Sequence, residues 1–220
     1  REEEVAIPID MRFDIARNAN RYYQKYHKQR RAQGILQEQI ALCEQTIAYF
    51  EQLESQVELA AVPDAMEIRE ELVKRGYMNA QKSGIRRRKG KQIPHFTVFD
   101  IEGTLVYLGK NNIQNEYLTR TLARKDDLWF HTKDLHGSHV ICTDPQPDER
   151  LLRICAMLAA YYSQGRFSSS VPVNYCPVRQ LKKVPGSAPG AVTMQHYRTI
   201  YMDPSQKEVT EIIRQYQKKA

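Results

Sequence analysis

The chain has 220 residues, 41% of them hydrophobic and 27% charged, with a formal net charge of +7. That is the composition of an ordinary soluble globular protein, with length for one sizeable core plus an extension or for two small domains. No apolar run approaches the ~20 residues that span a bilayer, so membrane insertion is not expected. No leader peptide is visible; the sequence opens on Arg1-Glu2-Glu3-Glu4 rather than on methionine, and it is expected to be a piece of a longer protein.

The charge is unevenly placed. Residues 1–76 hold 11 Lys/Arg against 14 Asp/Glu, a sum of −3, whereas residues 77–220 hold 22 against 12, a sum of +10. The second part alone is basic, which points to an acidic partner such as nucleic acid, with simple solubility as the alternative. Cys43, Cys142, Cys155 and Cys176 form no C-x-x-C pair. Buried free thiols in a reducing, cytoplasmic setting are therefore expected.

Residues 14–60 contain no Pro and one Gly, and they read as a long helix. Leu36, Ile40, Cys43, Ile47, Phe50 and Val57 follow a heptad seam with one step skipped at Glu54, as in a coiled coil. The short stretch from Asp64 to Arg75 can cover part of that seam through Ile68 and Leu72. The remainder calls for a partner helix, either from the same protein or from a second copy in a homodimer. Arg17, Arg21, Lys25 and Lys28 share one helical face and are candidates for gripping a phosphate backbone. Tyr22, Tyr23 and Tyr26 are interleaved with them; a core seam is favoured over stacking on bases for these rings.

Residues 77–92 read as a basic linker. Arg86, Arg87, Arg88, Lys89 and Lys91 stand there with no acid between Glu71 and Asp100, a composition that grips phosphates without reading sequence or simply solubilises a linker. From residue 93 onward the pattern is that of one mixed α+β domain. Residues 96–101 and 104–109 suggest a hairpin around Glu102-Gly103. A helix is expected over 111–123, strands over 128–131 and 139–142, and a buried helix over 148–163. Further strands are expected over 171–176, 192–194 and 199–202, then an amphipathic helix from Ser205. The fold class is α+β, with a helical coiled-coil arm at 1–76 and the mixed domain at 93–220.

Between Glu149 and Asp203 there is no acid, while Arg166, Arg179, Lys182 and Lys183 are among the cations present. The expectation is a continuous positive face beside the turn 131–139, with Lys182 and Lys183 ahead of a Pro/Gly loop able to receive a phosphate.

Two clusters carry candidate chemistry. Lys110, Asn111 and Asn112 sit where a strand should pass into a helix, a place that suits an anion or a cap. In Trp129-Phe130-His131-Thr132-Lys133-Asp134-Leu135-His136-Gly137-Ser138-His139, a metal site from His131, His136 and His139, perhaps with Cys142, lacks a ligand framework. A catalytic triad lacks a nucleophile elbow. The favoured functional reading is an RNA-binding surface of His131, Thr132, Lys133, His136, Ser138 and His139, against a hydrogen-bonded structural turn.

Residues 108–119 (LGKNNIQNEYLT) and 127–140 (DLWFHTKDLHGSHV) together resemble the signature of the NFACT family's RNA-binding domain, and residues 18–26 (NANRYYQKY) resemble the start of its coiled-coil region. The resemblance implies a ribosome quality-control factor, some of whose bacterial members are labelled fibronectin-binding protein A-like. It implies binding to large ribosomal subunits that hold a stalled peptidyl-tRNA, and recruitment of tRNA to append alanine tails. The family's Asp-Trp-Arg motif is absent from this sequence, so tailing by this chain alone is not expected. The expectation is a non-catalytic, cofactor-free RNA-binding part. The alternative, taken from the family's other label, is a surface adhesin fragment that binds fibronectin.

Overall fold

A computed structural model describes residues 5–79 and 93–218. Its internal contacts divide the chain into two compact units, Arg1–Ala48 and Tyr49–Ala220. Helix α1 (Ile15–Glu58) runs without a break, as the absence of Pro predicts. Helix α2 (Val62–Lys74) follows after a short turn, with Pro63 in its first turn, where a missing N–H costs nothing.

The anticipated seam is not what α1 buries. Leu36, Ile40, Cys43, Ile47, Phe50 and Val57 are all exposed, and so are Tyr22, Tyr23 and Tyr26. The buried set is offset by a residue or more: Tyr49, Leu53 and Gln56, with Ile68 of α2 packed on the first two. The reason is polar as well as apolar. Tyr49 and Gln56 are pulled onto this face by hydrogen bonds to Glu71 and Asn112. A boundary at residue 76 therefore does not match the contacts, because the lower end of α1 and all of α2 fold with the second unit.

That unit is built on a six-stranded, fully antiparallel sheet in the order β1-β2-β4-β3-β5-β8. The strands are β1 (Thr97–Ile101), β2 (Thr104–Gly109), β3 (Leu128–Thr132), β4 (His139–Cys142), β5 (Val171–Pro177) and β8 (Arg198–Met202). The β1–β2 turn holds Glu102 at φ 52° and Gly103 at φ 90°, the paired left-handed conformations of a tight hairpin. Two further strands, β6 (Leu181–Lys183) and β7 (Val192–Met194), form a separate ribbon.

Both faces of the sheet are covered, so the strands read as apolar runs rather than as alternation. Phe99, Val106, Leu108, Phe130, Val140 and Val173 meet helix α4 (Glu149–Tyr161) on one face. Asp148 caps α4 by accepting from the Leu151 amide at 2.7 Å. Helix α5 (Gln206–Tyr216) seals the same core through Val209, Ile212 and Ile213. On the opposite face Trp129, Ile141 and Cys176 lie under Leu118, Leu181, Val192 and Met194. Leu118 opens a π-helical turn (Leu118–Leu122) that continues the short helix α3 (Asn112–Tyr117). Each fully buried Leu or Phe here contributes about 1.5–3 kcal/mol. Among the described residues no helix is long and apolar enough to cross a membrane.

Candidate nucleic-acid interface

The candidate residues fall into three physical situations. Arg17, Arg21, Lys25 and Lys28 are all exposed on α1. Arg17 and Arg21 place their guanidinium carbons 4.4 and 5.1 Å from the Phe13 ring centroid, and Arg21 also pairs with Asp10 at 3.3 Å. Arg86, Arg87, Arg88, Lys89 and Lys91 lie outside the described residues.

The second situation is burial, and it removes five candidates from the surface. Asn111 and Asn112 are wholly buried, because α2 lays three acids over them. Asn111 caps α3 by accepting from the Gln114 amide at 2.9 Å and donates to Glu67 at 2.8 Å. Asn112 accepts from Gln52 at 2.8 Å and Gln56 at 2.9 Å, and donates to Glu71 at 3.1 Å. Gln114 donates to Asp64 and to Glu67, each at 2.7 Å. The anion reading fails here: the segment is a socket of amides filled by carboxylates. Burial raises the Glu71 carboxyl above the ordinary range, against the bonds from Asn112 and Tyr49 that lower it.

Thr132, Ser138 and His139 are buried too. Thr132 donates across its own turn to the Leu135 carbonyl at 3.2 Å. Ser138 is closed over by Tyr162, whose carbonyl accepts from the Ser138 amide at 3.0 Å. His139 stands edge-on to both Trp129 and His131, with ring centroids 5.2 Å away in each case. Trp129 stacks on His131 at 5.6 Å and 8°. Burial holds His131 near pH 4 and drives His139 well below its ordinary value, so both rings are neutral at pH 7. His131 is half-buried beside Trp129, on the face of the sheet that β6 and β7 cover. Among the described residues no three His, Cys, Asp or Glu side chains converge as metal ligands would. These residues correct the surface expectation: the turn is an aromatic and hydroxyl plug. Gly137 is part of it, since a Cβ there would meet the Ser163 Cβ at 2.8 Å.

The third situation is basic side chains that are exposed or half-buried, and they form two groups rather than one continuous face. At the start of β3, Arg120, Arg124, Lys125, Arg179, Lys182 and Lys183 are brought together by the π-helical turn, by bonds from the Val178 and Arg179 amides to Asp127 and Lys125, and by β6. Much of this group is internally neutralised. Lys183 and Arg120 both pair with Glu116, at 2.9 and 3.2 Å, and Arg179 pairs with Asp126. Burial would raise the Glu116 carboxyl, but bonds from Lys183 and the Gly190 amide outweigh it and hold it below the ordinary range.

At the other end of β3 stand Lys110, Lys133, His136 and Arg166. Lys133 is exposed, and no ion pair engages any of the four among the described residues. Lys110 Nζ lies 5.4 Å from the Tyr162 ring centroid, and Arg166 lies over Tyr161 at 4.2 Å. Burial lowers the His136 pKa, with Glu51 acting in the opposite sense. The turn is tied to residues 163–166 by the Gln164 amide donating to the His136 carbonyl at 2.9 Å. Cations held by rings instead of carboxylates keep their full charge for a phosphate. Arg166 was not singled out for this role, although its place in the acid-free stretch was the available signal.

Comparison with known proteins divides the chain at a different point, between residues 92 and 93. A family model for the NFACT N-terminal and middle domains matches residues 1–92, and one for the NFACT protein RNA binding domain matches residues 93–196. Rqc2 homolog RqcH of Bacillus subtilis (strain 168) is 39% identical over 212 residues, which is 94% of this chain and 37% of that protein. The protein of the same name from Streptococcus pneumoniae serotype 2 is 36% identical, over 96% of this chain and 38% of its own length. The chain thus spans well under half of these relatives. The solved C-terminal part of the fibronectin/fibrinogen-binding protein of Streptococcus suis superposes with a TM-score of 0.78 at 34% identity, covering 90% of this chain and 80% of that one.

Proposed function

The chain belongs to the NFACT family, and on that premise we propose that it is the non-catalytic, RNA-contacting part of a cytoplasmic ribosome quality-control factor that acts on large ribosomal subunits and tRNA. The observation that carries this reading is the group Lys110, Lys133 and Arg166: three cations without carboxylate partners at one end of the sheet, in a matched RNA-binding domain. The ion-paired group around Glu116 contributes less, because a phosphate there would have to compete with an existing carboxylate. Engagement of stalled peptidyl-tRNA and support of alanine tailing belong to the whole protein. On this reading the present chain supplies grip and orientation to those events and no bond-making chemistry.

The test is fluorescence anisotropy of labelled tRNA, and pelleting with large ribosomal subunits, between about 50 and 200 mM salt. Affinity falls steeply over that range when several phosphates are contacted. The name of the Streptococcus suis relative favours a second reading, adhesion to fibronectin. Salt-insensitive retention on fibronectin, with no affinity for tRNA or ribosomal subunits, would select it.

A further inference from the structure

Phe167 is 91% exposed, more than any other aromatic side chain among the described residues. It ends a short 3-10 turn (Gln164–Phe167) that the chain holds firmly. Ser163 caps the turn by accepting from the Gly165 amide at 3.0 Å. Gly165 is wedged under Leu135 and Val171, where a Cβ would meet both at 3.0 Å. Gln164 bonds the His136 backbone in both directions, at 2.9 and 3.3 Å. The ring therefore projects from a rigid mount and not from a loose loop.

Its neighbour is equally specific. The Arg166 guanidinium lies 4.2 Å from the Tyr161 ring centroid and 5.3 Å from that of Phe167, and it donates to the Tyr161 hydroxyl. No carboxylate pairs with it among the described residues, and its Nε is buried without a partner. The nearest acid in sequence, Glu149, pairs with Arg153 at 3.1 Å, and Asp203, the next acid on the C-terminal side, accepts from the Ser170 amide at 2.7 Å. An exposed phenyl ring beside a fixed guanidinium is what an unpaired base needs: a π face to stack on and a cation for the adjoining phosphate.

We propose that Phe167 and Arg166 form a stacking site for one unpaired nucleobase of single-stranded RNA, Phe167 taking the base and Arg166 the neighbouring phosphate. The site rests on the RNA-binding reading above and narrows it, because a base inside a duplex is already stacked and gains nothing from the ring. The exposed Ser168 and Ser169 lie beside it, within the same acid-free stretch.

The experiment compares the wild-type chain with Phe167→Ala and Phe167→Trp, using a single-stranded RNA carrying 2-aminopurine and a duplex of the same sequence. Phe167→Ala is expected to lose about tenfold in affinity for the single strand. It should also abolish the change in 2-aminopurine fluorescence while keeping the salt slope, since no phosphate contact is removed. Phe167→Trp should retain both signals, and duplex affinity should not change. Melting temperatures should agree among all three, because the ring makes little contact with the fold. Wild-type affinity of Phe167→Ala for the single strand, or an equal loss for strand and duplex, overturns the stacking site while the RNA reading stands. A wild-type chain that binds no RNA removes both. Loss of fibronectin or anionic-vesicle retention in Phe167→Ala, with RNA binding intact, would assign the ring to a protein or lipid contact and overturn the proposal.

Discussion

Asn112→Ala should loosen the lower end of α1 and α2 from α3 more than any change at the rim of the sheet. The Asn112 side chain is wholly buried and makes three hydrogen bonds, accepting from Gln52 and Gln56 and donating to Glu71. Gln56 and Glu71 are themselves 6% and 2% exposed, so their atoms cannot turn to solvent once Asn112 is gone. Gln56 Oε1 and Glu71 Oε2 already lack partners, which leaves no slack for rearrangement. The Gln56 amide, orphaned at about 1–3 kcal/mol, and the Glu71 carboxyl, which keeps the Tyr49 hydroxyl but loses one bond to a charged group at about 1.5–3 kcal/mol, with Gln52 half-buried and able to find water, give a loss of about 3–4 kcal/mol. For a chain of this size that is a fall of roughly 6–16 °C in melting temperature. Hydrogen exchange resolved by peptide should place the added opening in residues 49–75 and 110–118, with β3 and β5 unchanged. A loss under about 1 kcal/mol, or protection lost evenly across the sheet, would refute the socket as the fastening of these helices.

Acid should act on two parts of the second unit in opposite senses. His131, held near pH 4, and His139, held lower, favour the neutral form in the folded state. Their contribution is complete above the ordinary value of about 6.5 and is lost as pH falls from there toward 4, by up to about 1.4 kcal/mol per pH unit for each ring. Glu71 has a raised folded value, so it gains stability as pH falls through that value toward 4.5. Hydrogen exchange between pH 7 and 5 should therefore show the β3–β4 region loosening while residues 49–75 hold; the reverse pattern would contradict the assignment. Gly137→Ala should cost about 1–3 kcal/mol in urea unfolding, since its Cβ would sit 2.8 Å from that of Ser163, and a neutral result would show that the turn can shift. Thiol titration should find one fast group, Cys43, with Cys142, Cys155 and Cys176 reacting only on unfolding, and two or more fast thiols would contradict their burial.

Local structure was legible wherever local chemistry decides it. Glu102-Gly103 marked the hairpin, Asp148 the start of α4, and the Pro-free run α1. The strand β6 was not legible, because Leu181-Lys182-Lys183 carries one apolar residue and two lysines and forms a strand only through its pairing with β7. The site was harder. Capping by Asn111 or Asn112 stood only as the alternative to an anion site, and the acids that bury both lie more than 40 positions earlier, on α2. Nothing in a single sequence announces such a pairing. His139 follows the same logic: in a strand covered on both faces, polarity at one position does not imply exposure. The offset between the anticipated seam and the buried Tyr49, Leu53 and Gln56 arose because heptad counting weighs apolar side chains alone, whereas hydrogen bonds to Asn112 and Glu71 fix the rotation of this helix. Phe167 drew no notice, because a lone aromatic in a loop is ordinary until its exposure is known.

The most direct test of RNA contact at the far end of β3 is the salt dependence of tRNA affinity for two paired variants, Lys110→Gln with Lys133→Gln, and Lys182→Gln with Lys183→Gln. The first pair should weaken binding and flatten the slope by about 0.7–0.9 per phosphate contact removed, and the second should change it far less, because Lys183 already serves Glu116. Equal slopes for the first pair and the wild type, with the loss appearing in the second pair instead, would contradict the account.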